Sequence, residues 1–395
     1  MTQTLITNLR QATQTDFETI ALLLEDGKIA DIYPDDHLPV GKADSKMKVV
    51  DGRNQLIIPG MLDVHIHGAN NFDMMDGTTE SIQAVSKKCA ETGCTSFLVT
   101  SVSSSLADLF GMIKATKKVI GHEEGAKIVG IHLEGPYLNV EKKGMQNPQF
   151  LRHPNLSEMK AIFAEAEGLI KMVTIAPELP GGLELIDYLV EQEVVVAIAH
   201  SNASYEEATE AFEHGASHIT HCFNAMPSIH HRSPGLVTAA LENDQVSLQA
   251  IVDGVHLHPG IIRLMHKIKG PENLLLTTDA LQAMGIGDGV YQFGGHEVTV
   301  SQGIARLKDG TLASSTVTMN QSLEYCTKYE IPLLDGIKMA SETPARILKL
   351  TSLGKIAVGF DADLVLLDEH FNVTQTWLKG VPFYENFSPN PNPLG

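Results

Sequence analysis

The chain has 395 residues, of which 43% are hydrophobic and 19% are charged, a composition typical of a folded protein with one large and one smaller domain. Its formal net charge of −19 disfavours nucleic acids and anionic membranes as partners, because the summed field repels phosphate groups. No signal-peptide pattern opens the sequence, and no apolar run approaches the ~20 residues of a membrane-spanning helix. The four cysteines show neither a CxxC motif nor a disulfide-dense pattern, so we expect a cytoplasmic protein with reduced cysteines.

Both ends of the chain predict β structure. Near the start, TIALLLEDGKIADIYP alternates in polarity and turns at Asp26-Gly27, as a β-hairpin does. Near the end, LGKIAVGFDADLVLLD and FNVTQTWLKGVPF have the same character. We expect residues 1–54 and 352–395 to form a small β-sandwich domain, with residues 55–351 forming the larger domain.

The middle of the chain predicts an α/β domain. Strand-like apolar runs recur about every 30 residues, each followed by a helical pattern, which is the spacing of βα units in a parallel sheet. The eight runs are MLDVHIH, TSFLVTS, KIVGIHLEG, KMVTIAPE, VVVAIAHS, SHITHCFN, SLQAIVDG and NLLLTTDA. Eight units predict a (β/α)₈ TIM barrel. The alternative, a doubly wound open sheet, would be favoured by a GxGxxG turn after the first run, and that turn is absent.

Ionisable side chains stand at the C-terminal ends of five of these runs: His65 and His67, Glu134, His200, His221, and Asp279. In a barrel of this type, that end is the face on which active sites are built. Histidines that served only as core residues should instead be scattered along the strands. The placement therefore predicts one functional site.

The pair His65 and His67 is weak as a metal signature by itself, because a chain with 17 histidines can contain such pairs by chance, and His256 and His258 form a second pair. Two residues apart on a strand, however, His65 and His67 point the same way, so one ion can contact both. Nitrogen and oxygen ligands with a place left for water are typical of catalytic Zn²⁺ or Fe²⁺, although Co²⁺ and Mn²⁺ suit the same donors.

Asp279 completes a hydrolytic pattern. A carboxylate beside a metal site can take a proton from water, whose pKa a bound cation lowers, and can then deliver that proton to a leaving amine. The residues alone therefore predict metal-dependent hydrolysis of an amide or a related C–N bond.

A set of motifs is similar, in order and spacing over nearly the whole chain, to a known family. The motifs are PGMLDVHIHG, HLEGPYLN, KKGMQNP, IAHSNAS, HCFNAMP, PGLV, DGVHLHP, LTTDA and GKIAVGFDADLVLLD. They resemble the amidohydrolase family and, within it, the N-acetylglucosamine-6-phosphate deacetylases. The resemblance implies hydrolysis of the acetamide of N-acetyl-D-glucosamine 6-phosphate to D-glucosamine 6-phosphate and acetate, in amino-sugar catabolism and cell-wall recycling.

The resemblance also implies one or two divalent metal ions per chain. It assigns Glu134, His200 and His221 to the main ion, and it makes Asp279 a metal ligand as well as the general base and then acid. Members that keep both histidines of the first strand bind a second ion, bridged by the glutamate. Many binuclear relatives bridge instead through a carbamylated lysine at the end of the fourth strand. Here KMVTIAPE ends without a lysine, which fits the glutamate arrangement.

Substrate contacts follow from the same resemblance. His256 corresponds to a histidine that polarises the acetamide carbonyl, and Asn224 and Ala225 to a pair whose backbone N–H groups meet the sugar phosphate. Arg232 corresponds to an arginine that reaches the phosphate from a neighbouring subunit, which implies a homodimer. Met319 is also assigned to substrate binding.

Two positions depart from the family pattern. The family commonly has histidine where this chain has Gln146, and glycine where it has Ser314. Glutamine can donate and accept hydrogen bonds but carries no charge, and serine adds a side chain where backbone approaches a ligand. We expect Gln146 to contact substrate, and both departures to bear on sugar specificity.

Three alternatives remain open at this point. The substrate could be the galacto epimer, N-acetylgalactosamine 6-phosphate, because the motifs do not distinguish the two sugars. Another amidohydrolase reaction, dihydroorotase-like or a deamination, would share the metal residues but would not need HxxNAMP or Arg232. A catalytically inactive barrel acting as a binding protein would be expected to have lost some of the six ionisable residues.

Overall fold

The computed structural model describes residues 3–38 and 47–386. Its N-terminal part forms four strands, β1 (Gln3–Ala12), β2 (Phe17–Glu25), β3 (Lys28–Pro34) and β4 (Lys48–Pro59). Strands β2 and β3 form an antiparallel hairpin that turns at Asp26 and Gly27, whose φ angles are 48° and 79°. A two-residue type I′ turn requires positive φ at both positions, so the sequence Asp-Gly accounts for the predicted hairpin.

Strands and helices alternate through the centre of the chain. In chain order the elements are β5 (Met61–Ile66), β6 (Gly68–Ala69), β7 (Phe72–Asp73), α1 (Thr79–Glu91), β8 (Cys94–Thr100), α2 (Leu106–Val119), β9 (Lys127–Glu134), α3 (Leu156–Ala166), β10 (Ile170–Ile175), α4 (Gly182–Glu191), β11 (Val195–Ile198), α5 (Tyr205–Glu213), β12 (His218–Ile219), α6 (Gly235–Glu242), β13 (Ser247–Ile251), α7 (Pro259–Asn273) and β14 (Leu274–Thr277). Strands β5 and β8–β14 form one parallel sheet with neighbours in chain order. Each coincides with one of the eight predicted runs.

The two end strands of this sheet, β5 and β14, are joined through a buried carboxylate. Asp63 Oδ1 accepts a hydrogen bond from the Thr277 hydroxyl at 2.8 Å, and Asp63 Oδ2 accepts one from the Thr278 hydroxyl at 2.5 Å. The N–H of Asp279 donates to the carbonyl of His65 at 2.8 Å. These bonds close the sheet, and the predicted (β/α)₈ barrel is confirmed.

Further elements follow the last barrel strand. They are a three-stranded antiparallel sheet of β15 (Gly289–Phe293), β16 (His296–Ser301) and β17 (Ile304–Arg306), the helices α8 (Met319–Lys328), α9 (Leu333–Ala340) and α10 (Glu342–Ile347), and the strands β18 (Leu364–Leu367), β19 (Val373–Leu378) and β20 (Val381–Glu385). The three helices pack against β14, α9 and α10 also contact β5, and the last three strands return to the N-terminal sheet.

The two chain ends build one seven-stranded sheet in the order β20-β19-β18-β4-β1-β2-β3. Ile29 of β3 and Trp377 of β19 come from opposite halves of this sheet but belong to one buried cluster, so the sheet folds over its own core. The predicted β-sandwich from both chain ends is confirmed. Residues 1–2, 39–46 and 387–395 of this predicted domain lie outside the described residues. Strand β4 runs past position 54 to Pro59. The division of the chain into a small domain of residues 1–54 and 352–395 and a barrel domain of residues 55–351 stays a prediction.

Four of the barrel helices begin at side chains that accept the N–H three residues further on: Thr78, Ser105, Asn155 and Ser204. These caps satisfy backbone N–H donors that the start of a helix leaves free, and they fix the residue at which each preceding loop ends.

Among the described residues, no helix has both the length and the apolar character needed to cross a membrane.

Candidate active site

Six ionisable side chains meet at the C-terminal ends of five barrel strands, and all are buried: His65, His67, Glu134, His200, His221 and Asp279. Three of them lie in the turns that follow β11, β12 and β14, where His200, His221 and Asp279 have φ angles of 45°, 32° and 49°. A left-handed backbone is costly for residues other than glycine, and such strain concentrates at functional sites. The strained backbone at His200, His221 and Asp279 therefore indicates a functional site at the C-terminal end of the barrel.

Glu134, His200 and His221 form a first set of groups that could hold a metal ion. His221 Nε2 lies 3.0 Å from Glu134 Oε1 and 3.1 Å from His200 Nε2, and His200 Nε2 lies 3.4 Å from Glu134 Oε1. The Nδ1 atom of His200 is 2.9 Å from the carbonyl oxygen of Lys142, which can only accept. His200 therefore carries its proton on Nδ1, and the lone pair of Nε2 faces the set.

His65, His67 and Asp279 form a second set beside the first. His65 Nε2 lies 3.0 Å from His67 Nε2, and Asp279 Oδ1 lies 3.1 Å from His67 Nε2 and 3.5 Å from His65 Nε2. The Nδ1 atom of His65 is 3.1 Å from Gln249 Oε1, an arrangement in which the ring donates from Nδ1 and leaves the Nε2 lone pair free. Glu134 lies between the sets, since its Oε1 is 3.5 Å from His65 and its Oε2 is 3.6 Å from His67.

Cation binding requires neutral imidazoles and ionised carboxylates, and His65 and Glu134 already meet this requirement whereas His67 does not. Burial lowers the pKa of His65 to about 4, so this ring is neutral. Burial opposes ionisation of Glu134, but the surrounding imidazoles, led by His65, hold the pKa of Glu134 well below its usual range. Burial also acts against the charged form of His67, yet Asp279 and Glu134 raise the pKa of His67 to about 9. A cation bound at the second set therefore displaces a proton.

The donor chemistry of the two sets fits divalent metals. Imidazole nitrogens and carboxylate oxygens are the ligands of catalytic zinc and of non-haem iron, and the two sets contain no thiolate that would favour a closed structural zinc site. The amidohydrolase sites predicted from the sequence and these two sets comprise the same six residues.

Five of the six side chains, all except His65, line a cavity of about 360 Å³, within the size range of small-molecule sites. The other predicted residues that line it are Gln146, Asn224, Ala225, His256 and Ser314. The last residue of β17 and the chain that follows it contribute a part of the wall that the sequence did not predict, comprising Arg306, Gly310, Thr311 and Leu312. Ser314 has a φ of 60°, and its hydroxyl lies 3.2 Å from Asp279 Oδ1.

Two predicted substrate residues lie outside this cavity wall. Met319, the first residue of α8, is buried in the barrel core. Arg232 lies in an exposed loop between β12 and α6, where its Nη1 atom is 2.6 Å from His231 Nε2. Their roles stay predictions.

Two positioning residues were missed from the sequence. Gln249 lies inside the barrel on β13, where its Oε1 accepts both the ring of His65 and the backbone N–H of His221. Its only signal was a polar residue inside the strand-like run SLQAIVDG. Asp253 accepts a hydrogen bond from His256 Nδ1 at 2.6 Å. Burial opposes ionisation of Asp253, but this contact outweighs burial and lowers its pKa, so the carboxylate fixes the ring of His256.

Comparison with known proteins agrees with this geometry. The model of the amidohydrolase family matches residues 56–382. A curated N-acetylglucosamine-6-phosphate deacetylase from Lysinibacillus sphaericus is 34% identical over 374 residues, covering 92% of this chain and 93% of that protein. An N-acetylgalactosamine-6-phosphate deacetylase from Escherichia coli O157:H7 is 33% identical and covers 91% and 93%.

A solved structure shows the same architecture. The crystal structure of N-acetylglucosamine-6-phosphate deacetylase from Pasteurella multocida superposes with a TM-score of 0.90 at 30% sequence identity, over 97% of this chain and 100% of that chain. The resemblance seen in the motifs is confirmed. The chain belongs to the amidohydrolase family, within the group that contains the N-acetylglucosamine-6-phosphate deacetylases.

Proposed function

We propose that this chain hydrolyses the acetamide of N-acetyl-D-glucosamine 6-phosphate, releasing acetate and D-glucosamine 6-phosphate in amino-sugar catabolism and cell-wall recycling. The observation that carries the proposal is the pair of ligand sets joined by Glu134, with Asp279 beside them in one cavity. We place the reaction in the cytoplasm, where the four buried cysteines stay as thiols.

Glu134, His200 and His221 would hold one divalent cation, and His65, His67 and Asp279 a second. The donor set favours zinc or iron, and cobalt or manganese fit the same chemistry. When bound, the cations polarise the acetamide carbonyl and lower the pKa of water at the site.

The protein side chains move the protons. Asp279 takes a proton from the attacking water and returns it to the nitrogen as the C–N bond breaks, so the amine leaves neutral. His256, held through Nδ1 by Asp253, presents its other ring nitrogen to the carbonyl oxygen. The acetyl carbon gains the water oxygen, and acetate is the second product.

The sugar phosphate would be bound by backbone and by a second subunit. The N–H of Asn224 already donates to the carbonyl of His221 at 3.0 Å, whereas that of Ala225 meets no acceptor within 3–38 and 47–386. Ala225 is therefore the better placed donor. We assign Arg232 to the phosphate of a partner's site in a homodimer, which accounts for its absence from the cavity of its own chain. Local cations of this kind offset the negative net charge.

Arg232→Ala is expected to raise KM for the phosphorylated sugar roughly 10- to 100-fold with a much smaller change in kcat, the loss that a charged hydrogen bond gives. Initial rates of acetate release measure it, and Arg263→Ala, an exposed arginine on α7, is the matched control. An unchanged KM would contradict the phosphate role of Arg232.

The purified wild-type protein is expected to carry about two divalent ions per chain, and His67→Asn about one, because the second set loses a ligand. Elemental analysis against protein concentration measures this. The exposed histidine variant His122→Asn should keep the wild-type ratio. A wild-type ratio close to one would show that His65 and His67 do not hold a second ion.

The epimer is tested by comparing kcat/KM for N-acetylglucosamine 6-phosphate, N-acetylgalactosamine 6-phosphate and unphosphorylated N-acetylglucosamine. The galacto substrate is the second candidate because a relative of similar identity is named for it. We expect the gluco phosphate to give the highest value and the unphosphorylated sugar the lowest. A higher kcat/KM for the galacto phosphate would replace the proposed substrate with its epimer.

A further inference from the structure

We propose that Gln146 is a positioning residue for the carboxylate of Glu134 and that the short segment Lys142–Gln146 orients the first ligand set. This differs from the substrate contact predicted from the sequence. The inference deepens the proposed function, and only its kinetic test depends on that function.

The orientation of the Gln146 amide is fixed by its two partners. Its Oε1 accepts the backbone N–H of Ser103 at 2.8 Å, and because that N–H can only donate, the carbonyl end of the amide must face Ser103. The amide nitrogen therefore points the other way and donates to Glu134 Oε2 at 2.5 Å. Gln146 is 1% exposed, so water competes little for either contact.

The contact acts on the carboxylate that lies between the two ligand sets. Glu134 Oε1 faces His221 and His200, at 3.0 and 3.4 Å, while Oε2 receives the Gln146 amide. A donor on Oε2 restrains rotation of the carboxylate plane and so holds Oε1 toward the first set. Gln146 does this without adding charge to the site.

The same segment also orients His200. The carbonyl of Lys142 accepts from His200 Nδ1 at 2.9 Å, and the N–H of Gln146 donates to the carbonyl of Lys143 at 2.9 Å, which ties the segment into a turn. Gly144 has a φ of 55°, and a Cβ there would lie 3.2 Å from His200 Cε1. The segment Lys142–Gln146 thus contacts two of the three residues of the first set, Glu134 and His200.

Gln146→Met tests the proposal because it keeps the length of the side chain and removes the amide. Zinc-loaded wild type and variant are titrated with a chromophoric chelator. We expect the variant to lose its tightest-bound zinc at a chelator concentration roughly 10- to 100-fold lower, the effect typical of removing a hydrogen-bond partner of a metal ligand. In acetate-release assays we expect kcat to fall and KM to stay within about twofold.

Gln149→Met, at an exposed position in the same loop, is the matched control and should retain zinc as the wild type does. Unchanged zinc retention in Gln146→Met, with a raised KM, would overturn the proposal and make Gln146 a substrate contact. The zinc titration needs no substrate, so a protein that released no acetate would contradict the proposed function and leave this inference intact.

Gln146→Met also leaves the Ser103 N–H without an acceptor, a cost to folding that thermal unfolding of the zinc-loaded proteins will reveal. Gln146→His is the second variant, because a neutral imidazole offers one ring N–H as a donor and one ring nitrogen as an acceptor. We expect it to retain zinc better than Gln146→Met. If the two variants lose zinc equally, the donor to Glu134 is unimportant and the proposal fails.

Discussion

Asp279→Asn is expected to lower kcat by about 10²–10⁴-fold, because the amide cannot accept the proton of water or return one to the amine. Metal binding should largely survive, since the first set does not include Asp279 and asparagine keeps an oxygen toward His67. Single-turnover acetate release and elemental analysis of the same preparation measure the two effects.

Asp288→Asn is the control for this change, because Asp288 is an exposed aspartate that accepts the backbone N–H groups of Gln302 and Gly303. It should turn over at the wild-type rate. Substantial activity in a metal-loaded Asp279→Asn protein would remove Asp279 as the base.

Glu134→Gln is expected to abolish activity by a different route, through loss of metal. The carboxylate is the one negative charge in the first set and lies between both sets, so its neutral analogue should weaken binding at each. We expect metal content well below one ion per chain and kcat/KM lowered at least about 10³-fold, with partial recovery at high metal concentration.

Glu80→Gln, an exposed glutamate in the first turn of α1, is the matched control and should retain both metal and activity. If Glu134→Gln kept the wild-type metal content, the two ligand sets would not depend on the carboxylate that lies between them.

Much of the fold was predictable because its signals are local. Each barrel strand is an apolar run, and each predicted ligand stands at the C-terminal end of its run, so chain position alone placed Glu134, His200, His221 and Asp279 at one face of a barrel. The hairpin at Asp26-Gly27 follows from the backbone that this dipeptide favours. In each case residues close in sequence determine the structure.

What escaped prediction depends on contacts between residues far apart in the chain. Gln249 meets His65 across 184 residues, and no local pattern pairs them. Gln146 donates a hydrogen bond to Glu134, and this contact depends on the path of the loop that follows β9. The sheet β15–β17 did carry a local signal, since polar and apolar residues alternate on either side of Gly294-Gly295. The part of the cavity wall that follows this sheet could not be predicted, because it depends on how the sheet packs over the barrel.

The most direct test of the proposed function is product analysis with N-acetylglucosamine 6-phosphate and the metal-loaded protein. We predict one acetate and one glucosamine 6-phosphate for each substrate consumed, loss of this reaction on chelation, and its return when zinc is restored. Substrate that stays intact with the metal-loaded protein, or release of ammonia in place of acetate, would contradict the proposed deacetylation.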